Sequence, residues 1–246
     1  MYAAEPIRLA TLERMRRSFP PYVQFLQNYG QTEMETIIYL DHEGHNIRPE
    51  SFGKPNIFCD VQIMKDNGGQ ARLGEIGEIG EIVVRCPSLM LAYSKNPKAT
   101  KEFFRYGSDW GCTGDLGFMD EESFITLSGR KRDMYISGGE NVYPMEIEGV
   151  LRQHPAVLEA AVLGVPDKKW GEVGAAAIVL KPGAQVTKEE IIEYCQTQLA
   201  KFKCPKHVKF FHFLPKNAVP KVVKGEIYPD LANLIKSDRN GAYLTK

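Results

Sequence analysis

This chain has no excess of either charge: 31 Lys and Arg are matched by 31 Asp and Glu among its 246 residues. With no net field to gather polyanions, neither nucleic acid nor an anionic membrane is an expected partner. Long hydrophobic runs are missing too, since no apolar stretch approaches the ~20 residues of a membrane-crossing helix. Cysteine is scarce and scattered, at 59, 86, 112, 195 and 204, odd in number and without a CxxC pair. That argues against a zinc site or a disulfide framework and for a reducing compartment. The five histidines (42, 45, 154, 207 and 212) show no HExxH or comparable spacing, and no metal site is read from them. His42 and His45 fall in a polar turn and are expected at the surface. The first residues lack the apolar core of a signal peptide, so cytoplasmic placement is the expectation.

What is present is enough apolar material, 43% of residues, for one large or two modest globular domains. Residues 6–18 place Ile7, Leu9, Leu12 and Met15 near helical spacing, with a proline at the start. Residues 22–28 read as a strand leading into Tyr29-Gly30. From about 53 to 130 the pattern changes to short β-rich runs, at 58–64, 79–85 and 123–127, separated by Gly, Asn and Asp turns. A small, twisted, β-barrel-like subdomain is expected there. The triple repeat Gly74-Glu-Ile-Gly-Glu-Ile-Gly-Glu-Ile82 is too short for a solenoid and reads as a turn feeding a strand. After residue 133 helices and strands alternate. A helix is expected over 144–153 with Pro144 in its first turn, strands over 157–165, 174–180 and 207–213, and a helix over 188–200. Thr187 and Glu190 would cap that last helix as a capping box.

Three motifs occur in a fixed order: Tyr29-Gly-Gln-Thr-Glu33, Thr113-Gly-Asp-Leu-Gly117, and the long segment Thr126–Glu148 containing Gly129-Arg-Lys-Arg-Asp133 and Ser137-Gly-Gly-Glu140. The first follows a strand end, where α/β sheets commonly present ligand-binding groups. Threonine offers a hydroxyl to a phosphate oxygen, and a glutamate carboxylate is a hard ligand suited to Mg²⁺. The second sets a carboxylate between glycines, where a ligand can approach the backbone closely. In order and content the three resemble the adenylate-forming (AMP-binding) superfamily, and within it the acyl-CoA synthetase or fatty-acid–CoA ligase branch.

The resemblance implies a mixed α/β (α+β) chain. Residues 1–132 would be the C-terminal part of the large AMP-binding domain, with its β-barrel-like subdomain, and 133–246 the compact, mobile C-terminal domain. It implies ATP, Mg²⁺ and coenzyme A as cofactors and a small-molecule carboxylate as substrate. Tyr29, Gly30, Thr32, Asp115, Arg130 and Lys221 would bind nucleotide, with Thr32 at the α-phosphate, Glu33 on Mg²⁺, and Asp115 and Arg130 on the ribose. Thr32, Glu33 and Lys221 would be catalytic, Arg132 the hinge, and Gly138, Gly139 and Glu140 the loop beside which the thiol arm of CoA passes.

Several departures qualify this. Pro220 stands where the family has the glycine preceding its catalytic lysine, and Cys86 and Ala92 replace two other usual glycines. A proline fixes φ near −65° where glycine permits positive φ. Only 28 residues precede Tyr29, and they contain none of the family's upstream phosphate loop. The expectation is therefore a C-terminal portion that is impaired alone, with an exposed hydrophobic patch in its first 130 residues. Two other outcomes are a non-catalytic nucleotide-binding or interaction module, working with a full-length relative or a separate N-terminal chain, and acyl transfer to a carrier protein instead of CoA.

Overall fold

The computed structural model describes residues 1–3, 7, 9–66, 71–218 and 221–237. Residues 4–6 and Pro220, which figured in the sequence reading, lie outside them. The chain divides into two compact units, Met1–Lys131 and Arg132–Lys246.

The first unit holds two sheets. One has the order β1-β2-β3-β4, built from Tyr2–Ala3, Gln27–Gln31, Glu35–Leu40 and Lys54–Pro55. Helix α1, Leu9–Ser18, begins three residues later than its periodicity suggested, and its Leu12 is fully buried. The strand expected over 22–28 forms only from Gln27. Ahead of it Val23 N–H donates to Pro20 C=O at 3.0 Å, so the Pro20-Pro21 pair makes a turn and leaves Tyr22 exposed. In β2, buried Gln27 and Tyr29 alternate with Asn28 and Gly30, the period-two signature of a half-buried strand. A single helical turn, α2 (Gly44–Ile47), corrects the expectation for His45. That imidazole is only 2% exposed, 2.6 Å from the Tyr2 hydroxyl and against the Asp41 carbonyl. Burial lowers its pKa.

The second sheet has the antiparallel order β6-β5-β7-β8-β9, from Asp60–Asp66 (β5), Ala71–Leu73 (β6), Gly80–Arg85 (β7), Gly111–Met119 (β8) and Ile125–Arg130 (β9), with helix α3 (Pro97–Phe103) beside it. The β-rich expectation holds. The sheet is open, however, and among the described residues none is closed into a barrel. Ile37, Ile38, Ile63, Ile82, Val84, Phe103 and Ile125 fill the core of this unit. The expected exposure of apolar residues is present: Ile57, Phe58 and Leu91 are 81%, 72% and 96% exposed.

The second unit is one sheet between helices. Strands β10 (Tyr135–Ser137) and β11 (Glu140–Val142) form a tight hairpin, followed by α4 (Pro144–Leu151). Strands β12 (Val157–Asp167) and β13 (Gly171–Leu180) form a long antiparallel hairpin, and β14 (His207–Phe210) adds parallel to β13. The sheet carries α4 and α5 (Lys188–Gln196) through Ala160, Val162, Ala176 and Ile178. It packs α6 (Lys224–Ser237) through Ala161, Leu163, Ala175, Ala177 and Val179. Burial on both faces explains why β13 reads as a continuous apolar run rather than an alternation. The capping box of α5 forms as expected: Thr187 Oγ1 accepts from Glu190 N–H while Glu190 accepts from Thr187 N–H. Among the described residues, no helix is long and apolar enough to cross a membrane.

Candidate nucleotide site

In the first unit a bulge between Tyr29 and Gly30 ends the regular pairing of β2 with β3. A Cβ on Gly30 would lie 1.6 Å from the Glu35 carbonyl oxygen, so only glycine lets the hairpin close this tightly. The turn that follows, residues 32–34, presents Thr32 to solvent and drops Met34 into the core.

Two neighbouring strands bring a carboxylate to the end of β2. Asp115, in the middle of β8 and 6% exposed, is paired in register with Arg130 at the end of β9. Its Oδ2 accepts from the Tyr29 hydroxyl at 2.7 Å and from Gln31 Nε2 at 3.1 Å. The Arg130 guanidinium lies 3.5 Å from Oδ1. Gln31 also donates to Thr113 C=O at 2.8 Å, locking its amide in place. The Tyr29 ring is held edge-on by Phe52, with centroids 5.2 Å apart. Burial, reinforced by the Asp115 charge, raises the Tyr29 phenol well above its usual pKa, so it stays a donor. Thus Tyr29, Asp115 and Arg130 come together as one cluster. With Oδ2 occupied, Oδ1 is the atom available for further hydroxyl donors.

Glu33 is positioned apart from that cluster. Its Oε1 accepts from the Tyr93 hydroxyl at 2.7 Å, and Met90 N–H donates to its carbonyl at 2.8 Å. Tyr93 is pushed up to about 12, by burial first and then by Glu33. Among the described residues no group of three or more His, Cys, Asp or Glu gathers to hold a metal. Mg²⁺ needs no such cage, because it is commonly bound by one or two carboxylates with phosphate and water completing the shell. A lone half-buried Glu33 fits that role.

Three contributors escaped the sequence reading. Gln31 sits inside the first motif yet its type alone does not indicate its two bonds. Tyr93 is 60 residues from the carboxylate it holds. Glu81, only 2% exposed, accepts from Gly114 N–H at 3.2 Å and bonds Arg105 and Lys131, bracing the backbone on both sides of the Asp115–Arg130 pair. No residue pattern marks such a buried acid in advance.

In the second unit, Arg132 is exposed and lies 3.6 Å from the Asp133 carboxylate. Gly138 and Gly139, at φ +63° and +93°, make the two-residue turn between Ser137 and Glu140. Successive positive φ values are what a tight hairpin turn of this hand requires. Gly139 has open space about it, whereas a Cβ on Gly138 would lie 2.8 Å from the Trp170 ring. Lys221 is half-buried, its backbone exchanging bonds with Asn217 at 3.0 Å. Lys224, unremarked in the sequence, bonds Glu148 at 2.8 Å and Val162 C=O at 3.0 Å, with Asp133 at 3.5 Å.

Comparison with known proteins agrees with this geometry. Residues 1–94 match the AMP-binding enzyme family and residues 146–221 the AMP-binding enzyme C-terminal domain. The chain is 42% identical over 226 residues to a 2-succinylbenzoate–CoA ligase of Bacillus cereus, covering 92% of this chain and 44% of that protein. A ligase of the same name from Geobacillus sp. is 41% identical over 217 residues, 88% of this chain and 42% of the relative. Among solved structures, O-succinylbenzoate coenzyme A synthetase (MenE) from Bacillus subtilis in complex with AMP superposes with a TM-score of 0.80 at 38% identity, over 91% of this chain and 44% of that one. ATP-bound MatB from Rhodopseudomonas palustris gives 0.82 at 32% identity, over 94% and 45%. The chain therefore spans less than half the length of the relatives it matches.

Proposed function

Because this chain belongs to the adenylate-forming, AMP-binding superfamily, we propose that it works as the C-terminal portion of an ATP-dependent carboxylate–CoA ligase. The complete reaction joins a carboxylate to AMP with loss of pyrophosphate, then moves the acyl group to the CoA thiol with loss of AMP. We assign 2-succinylbenzoate or a closely related aryl acid, rather than a fatty acid, because relatives at 41–42% identity carry that substrate in their names.

The observation that carries the reading is Asp115, buried and braced through one oxygen, with the other beside Arg130. A fixed carboxylate with one unfilled acceptor suits a pair of ribose hydroxyls. Asp115 and Arg130 then hold the nucleoside, and Thr32 donates its exposed hydroxyl to the α-phosphate. Glu33 contributes its second oxygen to Mg²⁺. Bound ATP supplies the adenylyl group that activates the acid, with Mg²⁺ neutralising phosphate charge. Lys221 stabilises the negative charge that develops at the α-phosphate. Arg132 is the hinge residue, absorbing the backbone change between the two half-reactions. Gly138, Gly139 and Glu140 border the path of the pantetheine arm, where a side chain at Gly139 would intrude.

Two measurements on the chain as it stands test this. Calorimetric titration with AMP should show binding that Asp115→Asn weakens. Single-turnover mixing with synthetic 2-succinylbenzoyl-adenylate and CoA should yield thioester. Absence of both sinks the reading, and AMP binding without thioester leaves a nucleotide-binding module in place of the ligase.

A further inference from the structure

Outside the nucleotide cluster, two thiols face each other at the end of the five-stranded sheet. Strands β5 and β7 pair antiparallel with Asp60 opposite Arg85, Val61 opposite Val84 and Gln62 opposite Val83. One further step along this register sets Cys59 directly opposite Cys86. Opposed residues on antiparallel strands have Cα atoms roughly 4.5–5.5 Å apart. That lies inside the ~4.4–6.8 Å range a disulfide spans.

Both thiols are half-buried and line one open pocket of about 460 Å³, together with Ile57, Phe58 and Arg85. They lie within hydrogen-bonding reach of each other, and burial with the neighbouring Cys86 charge pushes the Cys59 thiol up to about 11. The other three cysteines, 112, 195 and 204, are buried. The pair is thus set apart from the rest by both mutual geometry and access.

We propose that Cys59 and Cys86 form a dithiol–disulfide site, oxidised by small-molecule disulfides. The Cys86 thiolate attacks one sulfur of the disulfide RSSR, breaking its S–S bond and releasing RS⁻, which takes up a proton. The Cys59 thiol loses its proton and attacks Cys86 Sγ, expelling the second RS⁻. The two protein sulfurs lose two electrons, RSSR gains them, and two RSH leave. The slow-ionising Cys59 resolves the mixed disulfide, so that second step accelerates with pH toward its pKa.

Closure has a route to the nucleotide-binding turn. Cys86 Sγ lies 3.3 Å from Ser88 Oγ, which donates at 2.8 Å to the Met34 carbonyl. Two residues on, Met90 N–H holds the Glu33 carbonyl. Drawing Cys86 Sγ into a disulfide removes it from Ser88 at the base of the segment that supports Thr32 and Glu33.

The test is incubation of the native chain with oxidised glutathione at mildly alkaline pH, alkylation, and peptide mapping without reduction. A Cys59–Cys86 linked peptide is expected, with Cys112, Cys195 and Cys204 recovered alkylated after denaturation. Cys59→Ser should instead accumulate the glutathione adduct on Cys86. A wild-type product carrying stable glutathione on either thiol, a different cysteine pair, or no oxidation at all would each overturn the assignment. Near-identical thermal midpoints of the reduced wild type and Cys59→Ser would confirm that the variant reports chemistry rather than unfolding.

Discussion

At the scale of single residues, the cluster around Asp115 separates binding from folding. Asp115→Asn keeps an acceptor for Tyr29 but removes the charge offered to a ribose. Hydrogen bonds to charged groups contribute roughly 1.5–3 kcal/mol, so AMP affinity should fall about 10- to 100-fold with little change in melting temperature. Calorimetry beside a thermal scan would expose either departure. His45 gives a second prediction, about pH. Its folded pKa is lowered by burial, opposed by the Asp41 carbonyl and carboxylate and assisted by Arg16 and His42. The folded state therefore prefers the neutral ring. Its contribution is present above the unfolded value of roughly 6.5 and drains away as pH falls below it. The thermal midpoint should drop between about pH 7 and 5, and His45→Gln should show a shallower drop over that range. An equal slope in both proteins would remove His45 from the account. Neither role was equally legible. Asp115 stood in a recognisable motif, whereas His45 looked like a turn residue because its burial depends on Tyr2, 43 positions away.

Among the elements, the local signals that worked were those with a short physical range. The Thr187–Glu190 capping box, the proline opening α4 and the period-two pattern of β2 were readable because each involves neighbours within a turn or a strand. Thr187→Ala should cost about 1 kcal/mol, read as a lower denaturation midpoint of the second unit. What the sequence hid were elements defined by pairing. Asp115 sits between glycines that suggest a turn, yet lies within a nine-residue strand, because bulges against β7 and β9 absorb the irregularity. Helix α6 carries Pro229 inside it and shows no clean stop signal. Gly30 is the tightest constraint at this scale. Gly30→Ala places a methyl against the Glu35 backbone carbonyl, which cannot rotate away. The β2–β3 hairpin must open, and the variant should lose several kcal/mol of stability in circular-dichroism denaturation. Wild-type stability would mean that the hairpin is shaped differently.

For the molecule as a whole, the sequence reading found the chemistry better than the architecture. The three motifs told which residues gather around a nucleotide, since chemistry constrains residue types at fixed spacings. They could not tell that the β-rich stretch stays open, because closure depends on which strand edges meet. Nor could they show that two separate sets of apolar residues, Ile37 to Ile125 and Tyr135 to Leu231, form distinct cores. That division can be measured, because the two tryptophans fall one to each unit, Trp110 in the first and Trp170 in the second. Trp110→Phe and Trp170→Phe each leave one reporter. Lys224→Met then probes the second core. It strips Glu148 of its 2.8 Å partner and leaves that largely buried carboxylate with Val162 N–H and an Arg152 group at 4.0 Å. Breaking such a pair should cost about 1–3 kcal/mol, the lower part of the usual range because Lys224 retains some exposure. In urea, Lys224→Met should lower the midpoint read at Trp170, and Gly30→Ala the midpoint read at Trp110. If Lys224→Met moved only the Trp110 transition, the assignment of the Glu148–Lys224–Asp133 network to the stability of the second core would be wrong.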